Sequence, residues 1–219
     1  MTDRSTKDLI LDTAERRFAE EGFAATSLRT IIKEAGVNTA AVHYHFGTKE
    51  DLIYAVIARR VEPLNSRRLE MLDDLEAECA PDPVPVERTV DAFLRPAMEI
   101  RHESPEGAEI FRKLVGRVSM DATIEQRSRM TRLFEGVGKR FIAVLKPALP
   151  GLSDGELFWR LHFMVGAMTF AISMPHGDKC PGNLASPGGS TQELRERLAR
   201  FIVGGLNAPS PEITKEDSR

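Results

Sequence analysis

"GVNTAAVHYHFGTK", residues 36 to 49, carries the signal that decides the fold. Two histidines, a tyrosine and a phenylalanine crowd together just after a run of small residues. The stretch is too short for a core helix of its own and too aromatic for an ordinary loop. Gly36 is placed to stop a preceding helix, because glycine tolerates the left-handed conformation that ends helices. Asn38 can cap a new, very short helix ending near Phe46. That helix has two sides. Val42 and Phe46, four apart, share one and suit packing on the helices before it. Ala40 and Tyr44 lie roughly opposite, flanked by His43 and Ala41.

Working outward, Ile10, Ala14 and Phe18 recur every four residues and predict a first helix from about Thr6 to Glu21, ended by Gly22. Ser27 can cap a second, whose apolar residues Leu28, Ile31, Ile32 and Ala35 follow helical spacing. Thr48 caps a fourth, from Lys49 towards Val61, and Pro63 is expected to interrupt it. Helices two and three are joined only by Gly36, Val37 and Asn38. Such a turn between short helices is the helix-turn-helix arrangement, whose second helix enters the DNA major groove. Small residues such as Ala40 let the backbone approach the base edges. Tyr44, His43 and Thr39 supply hydrogen bonds to phosphate or base. Arg29 and Lys33, four apart on the polar side of helix two, and Lys49 can reach phosphates, and Arg29 can read guanine. Ser27 completes the predicted DNA-contact set. His45 is expected to be structural, bridging helix three to helix four. Residues 1 to 60 hold nine basic and nine acidic residues, and the formal net charge of the whole chain is −3. DNA binding must therefore come from a local patch rather than bulk charge.

No convincing period-2 alternation appears anywhere in the 219 residues, so the fold class is all-α. After a proline-rich connector, "APDPVPVE" (80 to 87), helical patterns resume at Val86 to Arg101, Glu106 to Val118, Ile124 to Leu145, Asp154 to Met174 and Thr191 to Leu206. Residues 175 to 190 read as a loop. The domain organisation is a DNA-binding domain at 1–50, a helical effector and dimerisation domain at 51–207 and a disordered tail at 208–219. Cys79 and Cys180 show no spacing pattern, which points to a reducing cytosol. No apolar leader region is visible, and the longest apolar run, 163 to 172, is too short to cross a bilayer. A cytoplasmic protein without a membrane partner is expected.

The helix at 154–174 is apolar on two sides and must be covered on both. Leu161, Met164, Val165, Met168 and Ile172 form one stripe; Trp159, Phe163, Gly166, Ala167 and Phe170 form another. One side can face its own domain and the other a partner subunit. Gly166 and Ala167 would permit close helix approach in a homodimer, with Leu194, Leu198, Phe201 and Ile202 contributed by the last helix. An apolar effector cavity is predicted from Phe111, Leu114, Met130, Phe134, Val137 and Phe141, with Trp159, Phe163 and Phe170 closing it. His176 and Cys180 are too few for a metal site, and "GVGKR" (136 to 140) fails as a phosphate loop, so no metal or other cofactor is expected. No catalytic constellation stands out, and the chain is read as a non-enzyme. The rival is a small all-α enzyme or carrier using the apolar cavity, for which His162 and Arg117 are the obvious titratable groups.

The stretch "FAEEGFAATSLRTIIKEAGVNTAAVHYHFGTKEDLI" (18 to 53) resembles the N-terminal signature of the TetR/AcrR family of bacterial transcriptional regulators almost end to end. His43 stands where that signature has tyrosine, and Asn38 where it usually has serine. The resemblance implies a ligand-responsive regulator, most often a repressor, that binds a palindromic operator as a homodimer. "ELFWRLHFMVGAMTFAIS" (156 to 173) and "IFRKLVGR" (110 to 117) resemble the ligand-binding half of fatty-acid-responsive members. This implies an acyl effector, whose carboxylate or thioester head Arg117 or His162 would meet.

Overall fold

The first four helix starts are specified locally. Ser5, Ser27, Asn38 and Thr48 accept a hydrogen bond from the third backbone N–H of the helix that each precedes, satisfying donors that have no partner inside the helix. They open α1 (Thr6–Glu21), α2 (Leu28–Ala35), α3 (Thr39–Phe46) and α4 (Lys49–Cys79). The remaining helices are α5 (Val86–Glu99), α6 (Pro105–Met120), α7 (Ile124–Ala148), α8 (Asp154–Ser173) and α9 (Thr191–Asn207). The structure is a computed structural model and describes residues 5–100, 105–174 and 190–210, among which every regular element is a helix. Residues 175–189, read from the sequence as a loop and including His176 and Cys180, and residues 211–219, within the expected disordered segment, lie outside the described residues. No described helix is long and apolar enough to cross a membrane.

One expectation fails. Helix four does not stop near Pro63 but continues for 31 residues to Cys79. Proline lacks an N–H, so the Arg59 carbonyl loses its helical donor, at about 3 kcal/mol in a helix interior. Burial beyond the proline offsets this: Leu64 and Leu72 sit in the core, and Asn65 and Arg68 make buried hydrogen bonds.

The apolar side chains form two clusters that meet along α4. Ile10, Phe18, Ile31, Val42, Phe46 and Leu52 belong to the first, which reaches Val61. It also takes in Leu114 of α6 and Met130 of α7. The second begins at Leu64 and gathers side chains of α5, α7, α8 and α9 around Phe93 and Phe141, whose rings meet edge to face at 5.1 Å. Pro63 stands between the two.

Arginine–carboxylate pairs hold α1 in place. The buried carboxylate of Glu15 receives both Arg59 and Arg60 from α4, and Arg59 also donates to Asp12 at 2.8 Å. Glu34 of α2 receives Arg16 and Arg17, and these hydrogen bonds hold its carboxyl below the usual range.

Candidate DNA-binding and effector sites

The turn between α2 and α3 is built from three backbone decisions. Gly36 adopts φ +66° and ψ 27°, and its N–H donates to the Ile32 carbonyl, closing α2. The extended residue Asn38 then accepts from the Ala41 N–H at 2.7 Å and starts α3 in a new direction. Val42 and Phe46 are buried, which anchors α3 and turns its opposite side outward. Thr39, Ala40 and His43 are exposed, and Tyr44 is 86% exposed. A tyrosine this open is an available hydrogen-bonding group rather than a packing element.

The two histidines are both exposed but differ in their contacts. His43, not His45, is tied to the end of α3, with Nδ1 lying 3.0 Å from the Gly47 carbonyl. Because a carbonyl only accepts, Nδ1 carries the hydrogen of this bond. His45 is exposed, its ring edge-to-face with Tyr44 at 5.1 Å, and bridges nothing to α4. Ser27 is engaged in capping, through the Thr30 N–H at 3.1 Å and the Thr30 hydroxyl at 2.8 Å. Lys49 donates to the Ala24 carbonyl at 3.3 Å and so also ties the loop before α2 to α4. Arg29 and Lys33 are exposed and pair with no described residue. Glu34, the one acidic residue of α2, is taken by Arg16 and Arg17, so Arg29 and Lys33 have no carboxylate partner on their own helix.

The predicted effector set does not assemble as one cavity wall. Phe111, Val137 and Phe141 belong to the second core, whereas Leu114 and Met130 pack in the first. Phe134 is exposed. Trp159, Phe163 and Phe170 are 57%, 67% and 61% exposed and close no interior space. The physical reason is that Leu157, Leu161, Met164 and Met168 supply the buried side of α8, so the aromatic stripe faces out. His162 lies on that open face, Nδ1 2.8 Å from the Phe158 carbonyl and its ring 4.0 Å from the Phe158 ring. Arg117 pairs with Asp121 at 2.8 Å and donates to the Glu20 carbonyl at 2.9 Å, bracketing α6 to the end of α1. Neither residue is placed to meet an effector head inside the second core, and no hydrogen bond or ion pair joins them.

The predicted dimer residues divide similarly. Gly166 is exposed, with open space where a Cβ would stand, and Ala167 is half-buried. Ile202 is buried within its own chain, and Leu194 and Leu198 pack partly on the same core. Of the four on α9, Phe201 alone is exposed.

Two features escaped the sequence. An open cleft of about 400 Å³ runs between α4 and α5, lined by Arg59, Pro63, Leu64, Arg67, Pro96 and Ile100 among others. One turn beyond it on α4 lies Arg68, 1% exposed. Its guanidinium stacks 4.0 Å over the Phe93 ring, and burial lowers its pKa to about 10. Its spacing from Leu64 and Leu72 was the available signal, since an arginine four residues from each of two core leucines must share their face.

Comparison with known proteins agrees with this architecture. The family described as "Bacterial regulatory proteins, tetR family" matches residues 10–56, and "Tetracyclin repressor-like, C-terminal domain" matches residues 91–205. The HTH-type transcriptional regulator AcrR of Shigella flexneri is 34% identical over 87 residues, 40% of this chain and 39% of that protein. The probable HTH-type transcriptional regulator YttP of Bacillus subtilis is 26% identical over 131 residues, 60% of this chain and 59% of that protein. The chain thus spans less than two thirds of the length of these relatives. A TerR/AcrR-family regulator from Aquifex aeolicus shares the fold with a TM-score of 0.60 at 20% identity, covering 90% of this chain and 98% of its own. A tetR-family regulatory protein from Rhodococcus reaches a TM-score of 0.65 at 12% identity, covering 95% and 100%. With both halves matched and the helix-turn-helix in place, the chain belongs to the TetR family of transcriptional regulators.

Proposed function

We propose that the chain is a DNA-binding repressor that acts as a homodimer on a palindromic operator and is released by an apolar effector, a long-chain acyl compound by the resemblance of its second half. The observation that carries this reading is α3, whose Val42 and Phe46 are buried while Thr39, Ala40, His43 and Tyr44 stand open beside Arg29 and Lys33. This is the division of labour that a helix needs to lie in a major groove, anchored behind and polar in front. The exposed aromatic face of α8 supports a dimer, since an apolar patch of this kind marks an association surface. Two recognition helices related by a two-fold axis then read half-sites separated by whole helical turns, roughly 34–36 Å or multiples.

An effector acts by preferring the state that cannot hold DNA, with a coupling of about 1–3 kcal/mol. The second core and the adjoining α4–α5 cleft are its proposed seat, in place of the set that included Arg117, His162 and the outward aromatics. The test is fluorescence anisotropy of the DNA flanking the chain's own gene, over a salt series. Tyr44→Ala or Arg29→Ala is expected to lose roughly 1–3 kcal/mol on the specific site for each base contact. Lys49→Ala is expected to weaken all sequences alike and to flatten the salt slope by about one. Unchanged binding in all three variants would overturn the reading.

A further inference from the structure

A cation inside an apolar core requires a counter-charge or a dense set of acceptors. Arg68 has neither in full. Nε donates to the Phe93 carbonyl at 2.9 Å, Nη1 to Asn65 Oδ1 at 3.1 Å and Nη2 to Met168 Sδ at 3.4 Å. A guanidinium carries five N–H groups, so one on each Nη is left over, and the thioether is a weak acceptor. No carboxylate among the described residues pairs with it, although the other buried carboxylate-seeking arginine, Arg160, has Glu156 and several carbonyls. Thus the chain completes the shell of Arg160 and leaves that of Arg68 short of an anion.

We propose that Arg68 is the anchor for the anionic head of the effector, which makes the effector class an apolar monoacid rather than a neutral lipid. This rests on the reading of the chain as an effector-released regulator. Spare N–H groups on both Nη atoms suit the two oxygens of a carboxylate, the geometry in which arginine binds most strongly. The surroundings suit the rest of such a molecule. Met98, Met164 and Met168 lie in the same core, and unbranched thioethers rearrange around an irregular apolar guest. A cleft also opens one helical turn away, though Arg68 itself does not line it. The cleft between α4 and α5 reaches Leu64, one turn before Arg68, and Pro96, three residues after the carbonyl that Arg68 holds. Pro63 and Pro96 both line it, and each removes one helical hydrogen bond from its wall.

Arg68 could instead be purely structural, pinning α4 to α5 and α8. Calorimetric titration of the full chain with dodecanoate and with 1-dodecanol separates the two. The acid is expected to bind roughly tenfold to hundredfold more tightly than the alcohol, the range for hydrogen bonds to a charged group. That preference should hardly change between low and high salt, because a buried pair is screened far less than the surface arginines of the cleft mouth. Arg68→Met should abolish the preference while retaining the alcohol's affinity, and Arg68→Lys should keep part of it. Equal binding of acid and alcohol by the unaltered chain overturns the proposal without any variant having to fold. A preference that survives in Arg68→Met, or that salt removes, also overturns it. DNA binding measured on the same samples keeps the two readings apart. DNA binding without any response to either compound defeats the monoacid site alone, whereas an Arg68-dependent acid preference without DNA binding defeats the regulator alone.

Discussion

Gly22 offers a quantitative test of how α6 is joined to the DNA-binding helices. It ends α1 with φ +87° and ψ 168°, a region that residues with a Cβ essentially do not adopt, so Gly22→Ala costs about 1–3 kcal/mol in backbone strain alone. The new methyl group would also stand 3.1 Å from Asp121 Oδ2 and 3.3 Å from Arg117 Nη1. Both atoms belong to the ion pair that brackets α6 to the Glu20 carbonyl, and moving Arg117 forfeits that hydrogen bond, for a net loss of about 1 kcal/mol. The expected destabilisation is roughly 2–4 kcal/mol. Gly36→Ala is the internal control. Gly36 is left-handed at φ +66° but has no neighbour within 4 Å of a Cβ, so only the strain of about 1–2 kcal/mol applies. Urea unfolding of both variants, and of Gly22→Ala combined with Arg117→Ala, measures the difference. Removing Arg117 should recover the crowding part of the penalty and give a coupling of at least about 0.5 kcal/mol. If Gly22→Ala proves no more costly than Gly36→Ala, or if the double variant is additive, the steric argument is refuted.

Two further outcomes follow from the same contacts. The Asp51 carboxyl is held below its ordinary value, first by the Thr48 hydroxyl and then by Arg129 at 2.6 Å, so the stability it contributes is complete above about pH 4 and is lost as pH falls through the lowered value. The gap in urea midpoint between the natural chain and Asp51→Asn should therefore be open at pH 6 and close in strong acid; a gap that widens on acidification contradicts the assignment. On α8, Phe163→Glu should yield folded monomer by sedimentation at micromolar concentration, because Phe163 contributes little to its own core and much to an exposed apolar face. A stable dimer in that variant would move the interface elsewhere.

The parts legible in the sequence were those where one apolar side and one cap define a helix completely. α3 is such a case, since Val42 and Phe46 leave only one orientation for the eight residues around them. Three kinds of signal were ambiguous for physical reasons. α4 beyond Pro63 loses its apolar register because Asn65 and Arg68 occupy buried positions, and a buried cation looks like surface in a one-dimensional pattern. α8 has apolar stripes on both sides, and periodicity cannot say which one faces inward; here the side with Leu161 and Met164 is buried and the larger aromatics are not. α6 places Phe111 and Leu114 three residues apart yet in different cores, because the helix lies between them, and periodicity alone cannot divide one apolar face between two clusters.

That position of α6 and α7 bears on how a signal could cross the molecule. A DNA-binding domain hung from one helix would swing on α4 alone. Here α7 holds α4 on both sides of Pro63: Arg129 pairs with Asp51 in its first turn, and Asn65 donates to the Leu133 carbonyl at 2.7 Å just beyond the proline. Farther along, Arg140 reaches Asp73 at 2.7 Å. At the other edge Arg117 of α6 grips the end of α1, while Leu114 and Met130 are packed among the side chains that support α3. Close-packed interiors shift between discrete arrangements rather than deforming smoothly. A displacement of α4 against α5, where Arg68 and the cleft lie, would therefore meet direct contacts rather than a slack connection. Those contacts run past Pro63 and through α6 and α7 to the core beneath α3, the anchor of the exposed Tyr44 and His43.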